Sequence, residues 1–469
     1  MAAPRKTKIL ATLGPATESP EMIGKLISAG ANVFRLNMSH ADHDWCREIV
    51  GHIRAQSEEL DQTVAILIDL QGPSIRTGDL EEKLELKKGD ICEFRNADLE
   101  PSEDCSTTTN YDGLADDVSV GDVMLVDNGE IHFKIQRKES GRLICETLTE
   151  GKMGSRRHIN LPGVKVNLPP LTKKDIRDLD LAAELEVDFI AISFVRDAEH
   201  VRELRDQLAE RECRAKIVSK IEDQEAMRNL SEIITASDAV MVARGDLGIE
   251  VHIEELPVVQ RTILRECARI GRKVIVATHM LESMVENPVP TRAEVTDVAN
   301  AVFEQADAVM VSGETSVGQY PVKCIEVLDR ITRRIEQEPG AKFCENIELR
   351  TEKQQTVKSA IVLANSLPDS TMIVFTARGV LANYAAHQRP EHAHIYAFTP
   401  EERVARALHL NRAVDPHVMD FEKTPEETIR KAIQFLLDRD SVEEGDPIVI
   451  LSDVLSGDFD TEAILLRKA

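Results

Sequence analysis

Eight short runs rich in β-branched residues, at 8–13, 33–38, 64–69, 189–194, 216–221, 239–243, 273–278 and 308–312, are each followed by a stretch of helical period. Helical examples are 20–29, 256–270 and 292–305. Near-continuous apolar runs alternating with amphipathic helices mark parallel strands covered on both faces. Eight such units predict a closed (β/α)8 barrel, with a doubly wound open sheet as the alternative.

The rhythm breaks between Gly72 and Pro170. There the chain turns to LELKKGD, DVSVGDVMLVDNGE and ESGRLICETL, short strands with hairpin pairs at Asn128-Gly129 and Ser140-Gly141. This predicts an all-β insertion hung from the third barrel strand, with Leu168-Pro169-Pro170 as a stiff return. Past Glu338-Pro339-Gly340 a helix over 356–366, strands over 371–375 and 394–398, and a final pair near 448–452 and 464–467 predict a small α/β domain. The expected division is therefore 1–71 and 171–342 for the two parts of the barrel, 72–170 for an inserted lid, and 343–469 for a C-terminal domain suited to effector or subunit contacts.

Composition narrows the function. The chain of 469 residues has a formal charge of −25, which excludes a nucleic-acid partner because a phosphate backbone needs a basic face. No run of 18 apolar residues occurs, so no membrane partner is expected. Eight cysteines lie scattered without a CxxC pair, which reads as free thiols in a reducing compartment, and a cytoplasmic location is expected.

Barrel enzymes keep their chemistry at the C-terminal ends of the strands. Strand two ends Arg35-Leu-Asn37-Met-Ser39, and alternation sends the three polar side chains to one side. Strand three ends at Asp69, strand five carries Lys220 and Glu222, strand six runs into Arg244-Gly245-Asp246, strand seven ends Thr278-His279, and strand eight leads to Ser312-Gly-Glu314. A lysine inside an apolar strand is costly unless paired. Lys220 with Glu222 is thus either an internal ion pair or a catalytic element. Glu222 and Asp246 on adjacent strands are the protein share expected for magnesium. With Arg35, Arg76 and Lys220 adding positive charge and no nucleophile in view, the set describes phosphoryl transfer. The turn Gly245-Asp246-Leu247-Gly248 offers backbone N–H groups to an anion, by itself a weak signal.

FRLNMSH (34–40), GPSIRTG (72–78), VSKIED (218–223), VMVARGDLGIE (240–250), ATHMLESM (277–284), TRAEVTDVANAV (291–302) and VMVSGETSVGQYP (309–321) resemble, in order, the signatures of the pyruvate kinases. The resemblance covers nearly the whole chain. It implies magnesium-dependent (or manganese-dependent) transfer of phosphoryl from phosphoenolpyruvate to ADP, giving pyruvate and ATP, in a glycolytic homotetramer. It also implies roles. Arg35 binds the substrate phosphate, Glu222 and Asp246 hold the divalent metal, and Lys220 stabilises charge on the moving phosphoryl and the enolate. The Gly245 backbone and the Thr278 hydroxyl bind the substrate carboxylate, Thr278 lying near the carbon that is protonated. Asn37, Ser39, Asp69 and the Leu70 carbonyl match potassium positions. Arg76, Arg157 and His40 match nucleotide contacts, Arg157 replacing a frequent lysine. Trp45 is either adenine platform or core.

Two departures stand out. Leu70-Gln71 resembles potassium-independent members and Thr77 dependent ones, while Ser74 supplies neither charge found there, so potassium activation stays open. Thr376-Ala-Arg378-Gly379-Val380-Leu381 puts two apolar residues where fructose 1,6-bisphosphate-controlled members place hydroxyl donors, which argues against that effector and leaves another sugar phosphate, a nucleotide or no effector open. Two other readings compete with the kinase. One is a different phosphoenolpyruvate- or pyruvate-handling magnesium barrel, the other a catalytically silent metabolite-binding regulator. The first lacks reason for an inserted lid or shows no phosphohistidine segment; the second is disfavoured by the presence of Lys220, Glu222 and Asp246.

Overall fold

The computed structural model describes residues 4–452 and 463–469. Its centre is a closed barrel of eight parallel strands, Lys8–Thr12, Val33–Asn37, Ala65–Asp69, Phe189–Ile192, Lys216–Ile221, Ala239–Ala243, Lys273–Ala277 and Ala308–Val311. The ring closes where Lys8 pairs with Ala308. Strands one to eight are the eight read from the sequence, most of them shorter at the C-terminal end. Phe194 and Thr278, expected to end strands four and seven, instead have φ of 54° and 67°, which no strand accommodates. The chain turns there to aim side chains across the mouth.

Packing follows the apolar pattern on both faces. Leu10, Val33, Leu67, Phe189, Met241 and Ile275 fill the interior of the barrel, and a larger layer including Ile9, Phe34, Ile66, Ile190 and Val240 packs against the helices. Helix boundaries have local causes. Pro20–Ala29 starts on the Ser19 cap and stops at Gly30, whose φ is 108°, a conformation that favours glycine. Arg292–Phe303 begins with a reciprocal Thr291–Glu294 capping box and ends two residues before the expected 305.

Between strands three and four the chain builds a six-stranded sheet in the order Ile159–Asn160, Val123–Val126, Ile131–Glu139, Arg142–Thr147, Ile91–Arg95, Ser106–Thr108, with a separate pair Leu84–Leu86 and Gly151–Met153. Phe94 and Phe133 meet edge-on at 5.0 Å in its core. Both expected hairpin turns occur, Gly129 and Gly141 supplying φ of 84° and 69°. The unit rests on the barrel mouth, where a β-carbon at Gly129 would lie 3.3 Å from Ile249.

The C-terminal sheet has the order Val414–Val418, His394–Thr399, Thr371–Phe375, Pro447–Ser452, Ala463–Lys468, the last strand antiparallel. The sequence reading omits Val414–Val418. Asp415, Pro416 and His417 break its apolar pattern, and a proline is tolerated there because the strand is an edge. The first helix of this region, Glu352–Asn365, starts four residues before the expected 356 on the Thr351–Gln354 capping box.

This sheet is laced to the end of the barrel opposite the site. Asp188 and Asp307, just before strands four and eight, bind Arg406 at 2.9 Å and Arg389 at 2.6 Å. Leu410 inserts as a plug among the interior residues of the barrel. Because Leu410 is fully buried, Leu410→Ala leaves a cavity at the barrel base and is expected to destabilise by about 2–5 kcal/mol in urea unfolding. A loss below about 1 kcal/mol would show that the base collapses without the plug.

Candidate active site

Charged side chains from barrel strands two, three and five meet at the mouth. The register sets Asn37 beside Asp69 and Lys220 beside Met241, so strand ends two, three, five and six lie at one level. Arg35 Nε donates to Asp69 Oδ2 at 2.7 Å and its terminal nitrogen to the Thr12 hydroxyl at 3.1 Å. Lys220 Nζ stands 3.5 Å from Asp69 Oδ1 and 2.9 Å from Glu222 Oε1, and donates to Ser193 Oγ at 2.7 Å. Ser193 in turn donates to the Leu70 carbonyl at 2.8 Å. The Phe194 N–H donates to Glu222 Oε2 at 2.6 Å, which the left-handed Phe194 backbone makes possible.

Electrostatics follow from this burial. Desolvation opposes the Lys220 charge, yet Asp69 and Glu222 outweigh it and hold the ammonium above the ordinary lysine range. Desolvation also opposes the Asp69 charge, but Lys220 and Arg35 keep its carboxyl below its ordinary value. Burial pushes Glu222 up to about 7, with Lys220 opposing and Asp246 reinforcing the rise.

Metal fit can be tested on these groups. Glu222 Oε1 is buried without a hydrogen bond and lies 2.9 Å from the Lys220 ammonium. Asp246 is the more open carboxylate, with His158 Nδ1 at 3.9 Å from its Oδ1. One buried and one accessible carboxylate beside fixed cations suit magnesium, which takes few protein oxygens and fills its shell with ligand and water. No group of three or more acidic, histidine or cysteine side chains assembles a metal cage among the described residues. The residues matched to potassium by resemblance also adjoin, since Met38 N–H donates to the Asp69 carbonyl at 3.0 Å, Ser39 N–H donates to Asn37 Oδ1 at 3.1 Å, and Asp69 Oδ1 lacks a hydrogen bond.

Other expected residues distribute around this centre. The Gly245 N–H donates to Thr278 Oγ1 at 2.8 Å, which brings together the two groups expected to bind the substrate carboxylate. The Gly245–Gly248 segment differs from expectation: it is the first part of helix Arg244–Glu250 itself, not a turn ahead of one. Arg76 and Arg157 lie on the inserted unit, where Arg76 bridges to His158; Arg157 binds Asp127 at 3.2 Å. His40 is exposed on the barrel side. Trp45 donates to Glu18 at 3.2 Å and packs part of its ring against the barrel core. Glu314 accepts the N–H groups of Leu281 and Ser312 at 3.0 and 2.7 Å, a loop-fixing role away from the charged cluster.

Sequence reasoning missed three contributors. Ser193 and Thr12 are single hydroxyl residues near apolar strands, and their only signal is position at the ends of strands four and one. Glu250, 7% exposed, accepts from Asn160 Nδ2 of the inserted sheet at 3.2 Å, closing the seam between lid and barrel.

Burial pushes the Glu250 carboxyl up to about 7, above its value in the unfolded chain. Its folded form thus favours the proton, so its stabilising contribution is complete below about pH 4.5 and is lost as pH rises through 7. Glu250→Gln mimics the protonated acid at every pH. The variant is expected to exceed wild type by about 1–3 kcal/mol at pH 8.5 in thermal melts, with the difference vanishing near pH 4.5. Equal melts at pH 8.5 would contradict the desolvation of this group.

Comparison with known proteins agrees with this geometry. Residues 4–325 match the family model described as the pyruvate kinase barrel domain, and residues 354–465 match the pyruvate kinase alpha/beta domain. A chloroplastic pyruvate kinase isozyme G from Nicotiana tabacum is 40% identical over 96% of this chain and 80% of its own length. A pyruvate kinase from Staphylococcus epidermidis is 37% identical over 97% and 79%. The crystal structure of a pyruvate kinase from Cryptosporidium parvum superposes with a TM-score of 0.93 at 32% identity, covering 98% of this chain and 96% of that one. The chain belongs to the pyruvate kinase family.

Proposed function

We propose residue roles for the reaction of this family, transfer of the phosphoryl group of phosphoenolpyruvate to ADP. The observation that carries them is the shared enclosure of Lys220, Glu222, Asp69 and Arg35, with Lys220 within 3.5 Å of both carboxylates. Arg35, fixed by Asp69 and Thr12, holds the substrate phosphate. The Gly245 N–H and Thr278 hydroxyl exchange their mutual bond for the substrate carboxylate, which places carbon three over Thr278. Lys220 neutralises charge as it spreads over the equatorial oxygens and then over the enolate, at no cost of reorganisation because Ser193 and two carboxylates already fix its ammonium.

Glu222 and Asp246 would hold the divalent metal, magnesium or manganese, which when bound supplies further neutralisation of the substrate oxygens. Asn37, Ser39, Asp69 and Leu70 would hold potassium. Ser74 brings no ammonium in its place, since its hydroxyl accepts from Arg76 Nε at 3.2 Å. Arg76 and Arg157 approach the ADP phosphates from the inserted unit, with His40 on the barrel side. The inserted unit closes over the mouth and excludes water, so that phosphoryl passes to ADP and not to hydroxide. In the C-terminal region Thr376 and Leu381 are fully buried, so this loop presents packing atoms in place of a hydroxyl cradle for a sugar bisphosphate.

The eight cysteines are all free thiols, which fits the cytoplasmic reading; no helix among the described residues is long and apolar enough to cross a membrane. Helix Arg292–Phe303 leaves Val295 and Phe303 exposed, apolar surface suited to the subunit contacts of a homotetramer.

Lys220→Met is expected to lower kcat by about 10²–10³ or more with the fold intact, measured in a lactate-dehydrogenase-coupled assay with phosphoenolpyruvate and ADP. A rate near wild type would remove Lys220 from the mechanism. The same assay run with and without magnesium, and with sodium exchanged for potassium, tests both cation sites. Deleting residues 72–170 while the barrel still folds is expected to abolish ATP synthesis; full activity without them would refute the lid.

A further inference from the structure

The phosphoryl-transfer site uses none of the eight cysteines, and three of them, Cys92, Cys105 and Cys145, gather in the inserted unit. Cys92 and Cys145 are direct partners across the antiparallel strands Ile91–Arg95 and Arg142–Thr147. Strand Ser106–Thr108 runs parallel to Ile91–Arg95 on its other side. There Glu93 stands level with Ser106, and the Glu93 N–H donates to the Cys105 carbonyl at 2.8 Å. That register sets Cys105 level with Cys92. Residues level with one another in a sheet share a face, and burial agrees. Cys92 and Cys145 are fully buried in the core around Phe94 and Phe133, while Cys105 is half-buried and packs against the same core. Three sulfurs thus form a row across one face of the sheet, reached by solvent at Cys105.

The two members of the Cys92–Cys105 pair are chemically unequal. The Cys92 thiol hydrogen-bonds to Cys105 and holds it below the ordinary thiol range, against burial and the nearby Asp90 carboxylate. The same bond, together with burial, pushes Cys92 well above that range. A reachable sulfur favoured as thiolate beside a buried thiol can take up an oxidant and then have the product resolved by its neighbour. Backbone spacing permits the second step. Neighbouring strands lie about 4.8 Å apart, within the roughly 4.4–6.8 Å between α-carbons that a disulfide spans. The loop between the two residues is already docked, since Glu93 accepts from the Ser102 N–H at 2.9 Å and from the Ser106 hydroxyl at 2.7 Å. Closure therefore asks for side-chain rotation and no rebuilding of the chain.

We propose that Cys92 and Cys105 are a peroxide-responsive dithiol, closed to a disulfide by hydrogen peroxide and reopened by small thiols. The Cys105 thiolate attacks one peroxide oxygen and the O–O bond breaks. A sulfenic acid forms, and the departing hydroxide takes the proton that Cys105 had lost and leaves as water. The Cys92 sulfur then attacks the Cys105 sulfur, the S–O bond breaks, and the hydroxyl leaves as a second water with the Cys92 proton. Two thiols lose two electrons and the peroxide is reduced to two waters. A reducing compartment keeps the pair open at rest, and Cys145, shielded behind Cys92, stays a thiol.

The test treats the folded full chain with hydrogen peroxide, removes the oxidant with catalase, and blocks the remaining thiols with iodoacetamide in denaturant. Tryptic peptides are then mapped by mass spectrometry. Cleavage after Lys88, Arg95, Lys134, Arg142 and Lys152 puts the three cysteines on separate peptides, 89–95, 96–134 and 143–152. In wild type, 89–95 is expected to be joined to 96–134, a join that dithiothreitol reverses, with 143–152 alkylated. In Cys105→Ser, a conservative change at a half-buried position, Cys92 is expected to stay reduced and be alkylated. The proposal is overturned if Cys105 remains unjoined in wild type, if 89–95 is joined to 143–152 instead, or if Cys92 is oxidised as readily in Cys105→Ser.

Discussion

The structure of the barrel mouth depends on one arrangement, the burial of Asp69 between Arg35 and Lys220. Taking any of these charges out of water alone is prohibitive, and removing one partner of such a set costs far more than the set contributes. Strand three must therefore deliver its carboxylate to the same depth at which strands two and five deliver their cations. The closed barrel meets that demand because its register fixes the relative height of every strand end. The cluster adds little net stability; it orients two cations and the Glu222 carboxylate before any substrate arrives.

That constraint also explains why the surrounding backbone is unusual. Phe194, Thr278 and His279 all adopt positive φ, and each lies where a strand gives way to the mouth. Phe194 turns its N–H onto Glu222, and Thr278 brings its hydroxyl to Gly245. Strained conformations of this kind persist when neighbouring contacts over-determine them. Here the contacts come from the same polar groups proposed for the chemistry.

Much of this was legible from the residues. Parallel strands buried on both faces write themselves as apolar runs, so all eight barrel strands could be located, and alternation within 216–222 placed Lys220 and Glu222 on one side. What escaped reading had physical reasons. Val414–Val418 carries Pro416 and two polar neighbours, a pattern allowed only because it is a sheet edge. Ser193 is one hydroxyl among apolar residues, and its importance arises from Lys220 and Leu70, distant in sequence. The Glu250–Asn160 contact depends on how the inserted sheet seats on the barrel, which no local pattern encodes. Trp45, conspicuous as the only tryptophan, packs one side against the barrel core and keeps part of its indole exposed.

The insertion between strands three and four has a consequence for how the chain reaches this state. Leu67 pairs with Phe189, so the two strands that complete this part of the ring are separated by the whole inserted sheet. Tying such distant segments together early would cost chain entropy before any contact repaid it. A sheet with its own core, built around Phe94 and Phe133, shortens the effective loop once it has formed, since its two ends then emerge side by side. Loop-closure entropy thus favours an order in which the appendage condenses before the ring closes around its stem.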